Sequence, residues 1–210
     1  MDGLSLRRRI ALDIARSMRK SQEEEHPLRQ LFWECTLRCN LRCQHCGSDC
    51  KQVAATPDMP KEDFFKVLDS IVAKTDPHKV FVIISGGEPT MRADLEECGK
   101  GIYSRGFPWG MVTNGFGMTA ERFSRLLGAG LHSMTVSLDG LEENHDWLRG
   151  REGSFTRAAE TIRMAVRSGI AFDVVTCVNR RNYPQLPQLK EFLIGLGLKE
   201  WRLFSIFAPL

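Results

Sequence analysis

Leu6, Ile10, Ile14 and Met18 fall four residues apart, with Ala11 and Ala15 beside them and arginines on the other face. That spacing predicts an amphipathic helix over residues 4–20, with one apolar stripe that packs on the flank of the following domain. A membrane-surface role is the alternative. The polar run Ser21–Pro27 reads as a linker, so residues 1–30 form a helix and linker ahead of a core over residues 31–210.

Within that core, strand and helix patterns alternate. Leu31–Thr36 is a short apolar strand that runs into a cysteine-rich loop. Pro60 opens a helix at its first turn, with Phe64, Leu68, Ile71 and Val72 on one face. Val80–Ile84 is continuously apolar and β-branched, as a strand buried on both faces should be. A helical pattern over Ala93–Ser104 precedes a third strand at Trp109–Thr113. Thr119 caps a helix carrying Phe123, Leu126 and Leu127, which Gly128 and Gly130 stop. Ser133–Leu138 is the fourth strand. Ser154 caps the next helix, whose Phe155, Ala158, Ala159, Ile162, Ala165 and Val166 keep the helical period. Phe172–Val178 is the fifth strand, Asn182 and Pro184 start a last helix, and Trp201–Phe207 is the sixth strand.

Alternation of this kind implies parallel strands joined by right-handed crossovers, in a doubly wound sheet or a barrel. Polar residues decide between them: Glu34, Thr36, Ser85, Thr113, Asn114, Ser137, Asp139, Thr176 and Asn179 all fall at strand C-termini. Polar groups converging from several strand ends describe the mouth of a βα barrel. Six strands cannot close an eight-stranded barrel, so an open, partial barrel of α/β class is expected. No helix follows the apolar sixth strand to cover it, so the chain is expected to be a shortened form of a longer protein that self-associates through the Trp201–Phe207 edge.

Composition narrows the function classes. A net charge of +3 gives no footprint for nucleic acid or an anionic membrane. No apolar run reaches the length of a membrane span, and the first residues lack the apolar core of a signal peptide. Five of the seven cysteines crowd into Cys35–Cys50, which is not the spacing of a secreted disulfide scaffold, so a reducing cytoplasm is expected. Cys98 and Cys177 stand alone as expected buried hydrophobes, and Cys35 belongs to the first strand's core side.

Cys39, Cys43 and Cys46 form a C-x3-C-x2-C triplet. Three thiolates this close can close on one metal centre, and no partner pair elsewhere supplies a fourth ligand. Three ligands leave one coordination position open, as a catalytic centre needs; a zinc loop or a cysteine-rich turn is the plainer alternative. Gly86-Gly87-Glu88-Pro89 ends a buried strand, where two glycines permit close backbone approach and Glu88 offers a carboxylate. Alone, that is a tight turn with a solvated glutamate. Likewise Ser137-Leu138-Asp139-Gly140, with His145-Asp146 and Arg149-Gly150, is by itself a turn and a surface charge.

Together these motifs resemble the radical S-adenosylmethionine (radical SAM) enzymes, and the SLDG-x4-HD-x2-RG run is similar to the peptide-modifying branch that includes anaerobic sulfatase-maturating and SPASM-domain enzymes. The resemblance covers roughly residues 31–207 and implies a (βα)6 core ending after the sixth strand. It implies that Cys39, Cys43 and Cys46 hold three irons of a 4Fe-4S cluster, with SAM on the fourth. Gly86, Gly87 and Glu88 would bind the SAM amino group, Ser137 and Arg149 would help hold SAM, and His45 would lie near its adenine. The implied chemistry is reductive SAM cleavage followed by hydrogen abstraction from a substrate, a peptide or protein side chain or else a small cofactor precursor. An external donor such as a flavodoxin or ferredoxin would supply the electron. A non-catalytic iron–sulfur scaffold is the rival outside enzymes. The glycine-rich fifth-strand segment of some relatives is not evident in Phe172–Asn179, and no accessory-cluster cysteines follow the sixth strand.

Overall fold

The structure is a computed structural model that describes residues 5–48 and 50–205. Six strands form one parallel sheet in sequence order: β1 (Gln30–Thr36), β2 (Phe81–Gly86), β3 (Trp109–Thr113), β4 (Leu131–Ser137), β5 (Ala171–Val178) and β6 (Trp201–Ser205). β1 and β6 remain the two edges, so the sheet is an unclosed α/β partial barrel, as the sequence led us to expect. Seven helices are described: α1 (Leu6–Glu25), α2 (Lys61–Val72), α3 (Leu95–Ser104), α4 (Ala120–Gly128), α5 (Glu142–Arg149), α6 (Ser154–Ser168) and α7 (Leu186–Gly195). With parallel strands in unbroken order, right-handed crossovers carry the connecting helices to one face of the sheet.

The core is continuous from β1 to α7. Val82, Ile84, Trp109, Met111, Met134, Val136 and Val174 supply the sheet's side; Leu68, Leu95, Ile102, Leu126, Ile162 and Leu189 face it from the helices. Trp33 stacks on Phe64 of α2 at a centroid distance of 3.9 Å, and Trp109 donates from Nε1 to the Ala129 carbonyl at 3.2 Å. Burial on this scale is the main driving force holding the strand ends in register.

Several local expectations change. α1 runs on through Ser21 to Glu25, where a linker was expected, because Gln and Glu are good helix formers. The break comes at His26, which sits at φ 44° because Pro27 bars it from the right-handed helical region. The apolar stripe of α1 is not packed on the domain: Leu6, Ile10, Ile14 and Met18 are all exposed. The helical period is real, but a period alone does not say which surface a helix seats on; Leu4 lies outside the described residues. Thr119 caps α4 as expected, accepting from the Arg122 N–H at 3.2 Å. Ser154 does not cap α6. Asp146 does, its carboxylate accepting from the Gly153 and Phe155 N–H groups at 2.6 and 2.7 Å and from the Ser154 hydroxyl at 2.8 Å. The helix α5 was not foreseen. In β6, Trp201 is half-buried and donates to the Thr176 hydroxyl at 2.9 Å, while Leu203 and Phe204 are exposed; Ile206 and Phe207 lie outside the described residues.

Candidate cofactor site

The cysteine loop leaves β1 at the C-terminal end of the sheet and is fixed from both sides. Cys39 N–H donates to the Lys51 carbonyl at 2.8 Å. Gln44 N–H reaches the Leu148 carbonyl at 2.8 Å and Arg42 N–H the Arg149 carbonyl at 3.3 Å, so the loop lies against the C-terminus of α5. Gly150 makes that approach feasible. It caps α5 at φ 64°, and a Cβ there would stand 2.4 Å from the Arg42 carbonyl oxygen. The three thiols are free; Cys39 is buried, Cys43 half-buried and Cys46 exposed. Burial pushes Cys39 up to about 11 and also raises Cys43, whose Arg149 neighbour opposes the shift. The Cys39 and Cys43 thiols are therefore protonated near neutral pH, and a metal centre must displace their protons.

The Gly-Gly-Glu turn extends β2 against the exit of β1. Gly86 takes φ 121°, and a Cβ on it would lie 2.3 Å from the Thr36 carbonyl oxygen; one on Gly87 would lie 2.2 Å from that of Arg38. Gly87 and Glu88 N–H groups donate to those same carbonyls at 2.8 Å each. This delivers Glu88 to a fully buried position, not the solvated one of a simple turn. Its Oε1 accepts from Thr90 N–H (3.1 Å), the Thr90 hydroxyl (2.9 Å) and the Thr113 hydroxyl (2.7 Å), while Oε2 accepts only from Asn114 N–H (2.7 Å). Oε2 thus keeps a lone pair for another donor. Burial pushes the Glu88 carboxyl up despite these donors, so a cationic group in the cavity would favour its charged form.

The third motif folds back on itself through α5. Arg149, far from being a surface charge, is buried. Its Nε and NH2 both reach Asp139 Oδ2 at 2.6 Å, and NH1 lies 3.7 Å from Cys43 Sγ. Asp139 Oδ1 accepts from Cys177 N–H at 2.7 Å, and Asp139 N–H donates to His145 Nδ1 at 3.0 Å. Asn182 Nδ2 closes the frame by donating to the Asp139 and Cys177 carbonyls at 2.6 and 2.8 Å. Cys177 is not a core hydrophobe as expected: it is half-buried, with His45 and Asp139 donor atoms all within 4.8 Å of one another. That trio is a poor cation site, since Asp139 is already neutralised by Arg149, whose positive charge stands beside it.

All nine residues singled out from the sequence (Cys39, Cys43, His45, Cys46, Gly86, Gly87, Glu88, Ser137 and Arg149) line one cavity of about 250 Å³. Cys50, which fits neither cysteine spacing, lines it too, as do Thr113 and Asn114. The residues fit a three-thiolate centre with a chelating ligand beside it: three thiols on one loop, a carboxylate with a spare lone pair, a guanidinium, and two glycines that keep the wall clear of side chains. Sequence reasoning missed the roles of Asp139, Thr90 and Asn182. For Asp139 a signal was present, because the two-residue strand period sets it on the same side as Ser137.

A family model described as the Radical SAM superfamily matches residues 33–193. The chain belongs to that superfamily. Radical SAM proteins are enzymes whose cofactors are a 4Fe-4S cluster and SAM. Fe-coproporphyrin III synthase of Methanosarcina barkeri is 31% identical over 163 residues, covering 78% of this chain and 40% of the relative. PqqA peptide cyclase of Methylocella silvestris is 28% identical over 173 residues, covering 80% of this chain and 45% of the relative. The crystal structure of Streptococcus suis SuiB bound to S-adenosylmethionine superposes with a TM-score of 0.73 at 17% identity, covering 100% of this chain and 48% of that one; SuiB has also been crystallised with the precursor peptide SuiA. At that identity the likeness shows the radical SAM fold. The chain spans less than half the length of each of these proteins. Among the described residues no helix is long and apolar enough to cross a membrane.

Proposed function

We propose that this chain carries a radical SAM catalytic centre, with Cys39, Cys43 and Cys46 ligating a 4Fe-4S cluster and Glu88, Ser137 and Arg149 holding SAM beside it. The observation that carries this reading is the convergence of all these side chains on one cavity. Bound there, the cofactors would supply the hard chemistry, reductive SAM cleavage with an electron from an external donor such as a ferredoxin or flavodoxin and hydrogen abstraction from the substrate. The protein positions the reactants. Glu88 Oε2 would accept from the SAM ammonium, the unused edge of the Arg149 guanidinium would hold its carboxylate, and the glycine wall at Gly86-Gly87 would let the ligand lie against backbone. His45, half-buried with its Nδ1 unpartnered, lines the side given to adenine.

The substrate is a peptide or protein side chain, a reading supported by the likeness to PqqA peptide cyclase and by the SLDG-x4-HD-x2-RG motif. A small-molecule cofactor precursor is the second reading, favoured by the relative named Fe-coproporphyrin III synthase. A reducing cytoplasm suits a centre with an open iron position. The test is anaerobic reconstitution with iron and sulfide, reduction in the presence of SAM, and chromatographic search for 5′-deoxyadenosine. Its formation in the parent and its absence after Cys43→Ala support the reading. A stoichiometric zinc site with no iron–sulfur absorption overturns it.

A further inference from the structure

Two side-chain N–H groups are aimed at the sulfurs of the cysteine triplet, and neither belongs to the cysteine loop. Arg149 NH1 lies 3.7 Å from Cys43 Sγ, and Asn114 Nδ2 lies 3.8 Å from Cys39 Sγ. Both donors are held by other bonds. One edge of the Arg149 guanidinium is clamped by Asp139 Oδ2, and Asp139 is itself fixed through Cys177 N–H and His145. Asn114 shares Nδ2 with Asn40 Oδ1 at 2.9 Å, accepts from Phe116 N–H through Oδ1 at 2.9 Å, and gives its backbone N–H to Glu88. Neither donor can turn away without breaking that frame. Among the described residues, no side-chain N–H is similarly placed on the exposed Cys46.

We infer that Arg149 and Asn114 set the reduction potential of the cluster through these N–H···S contacts, and that Asp139 is the positioning residue that holds Arg149 to Cys43. This rests on the cluster assignment made above. An electron added to a thiolate-ligated cluster places negative charge on its sulfurs, and N–H donors to those sulfurs stabilise the reduced form. Both donors are largely buried, where such contacts are little screened. Arg149 keeps one N–H on NH1 and one on NH2 beyond its contacts with Asp139 and Cys43. The same guanidinium can therefore touch Cys43 and receive a carboxylate. Asn114 likewise joins Cys39 to Glu88, so each donor links a cluster sulfur to a residue placed on SAM.

The test is spectroelectrochemical titration of the reconstituted, SAM-free cluster, so the outcome does not depend on turnover. Arg149→Gln and Asn114→Ala should each make the midpoint more negative, lowering the reduction equilibrium constant about tenfold, or about 59 mV for one electron; the double variant should add the two shifts. Clusters that form normally in both variants with the parent's midpoint overturn the inference. A second measurement covers a variant that fails to assemble a cluster. For that case the parent, labelled with ¹⁵N only in the arginine guanidino and asparagine amide groups, is reduced and examined by pulsed paramagnetic resonance. Weak ¹⁵N couplings to the cluster support the contacts, and their absence overturns them. If no iron–sulfur cluster forms in the parent at all, it is the cluster assignment that fails, a distinct result.

Discussion

Glu88 shows how one residue can be held rigidly and still be left a task. Three donors fix Oε1, and a single one, the Asn114 N–H, meets Oε2. Glu88→Gln should therefore weaken SAM binding by about ten- to a hundredfold while the cluster still forms, because a charge-assisted hydrogen bond contributes roughly 1.5–3 kcal/mol. Equilibrium dialysis of the reconstituted protein with labelled SAM reads this directly, and parent-like affinity would remove Glu88 from the SAM site. His145 makes a different prediction. Burial and the neighbouring Arg149 push its pKa down to about 4, and Nδ1 must stay unprotonated to accept from Asp139 N–H. The unfolded chain takes up a proton near pH 6.5 that the folded chain refuses until about pH 4, so stability is full above about 6.5 and declines as pH falls toward 4. Urea unfolding at pH 7 and pH 5 should show that loss, and His145→Asn, which keeps an acceptor, should flatten it; an equal slope in both proteins counts against a buried neutral imidazole. The cysteine triplet was legible in the sequence because its spacing is covalent. The Arg149–Asp139 pair was not, since ten residues separate the partners and only the unforeseen turn of α5 brings them face to face.

At the scale of elements, the site depends on how closely two backbones approach. β2 ends against the exit of β1 with no room for side chains, and α5 ends against the cysteine loop in the same way. Gly87→Ala isolates the first contact, because Gly87 is not at positive φ and strain there comes only from the new methyl. With the Arg38 carbonyl 2.2 Å from that methyl, the turn must shift and carry Glu88 with it. We expect a loss on the order of 2 kcal/mol in urea unfolding and a loss of SAM affinity; parent-like values for both would show that the turn is slack. These elements were readable to different degrees. Strands and core helices followed the apolar periods closely, because burial on the sheet decides them. α5 was hidden, since Glu142–Arg149 is largely polar and takes its place from contacts made by Asp139, Asp146 and Gly150. α1 erred the other way. Its period is a genuine helical signal, but a period reports the helix and not the surface it seats on.

For the whole molecule, the order β1 to β6 leaves a parallel sheet with two free borders. At one of them, Leu203 and Phe204 of β6 are about half exposed, beside backbone groups that pair with nothing further among the described residues. An apolar, unpaired border is a template for a second copy of the chain. Light scattering after gel filtration should show mass rising with concentration, and Leu203→Lys with Phe204→Lys should abolish the rise; a constant monomer mass would mean that the border is protected in solution. The opposite border is β1, the strand that delivers the cysteine loop, and there Cys46 faces outward. A metal centre seated on that loop is a wire whose end reaches the surface. On the cluster reading proposed above, a one-electron carrier would have only to dock against the rim near Cys46, without crossing the barrel wall. Dioxygen would reach a cluster there by the same short route, because the thiol that exposes the loop to a carrier exposes it equally to solvent.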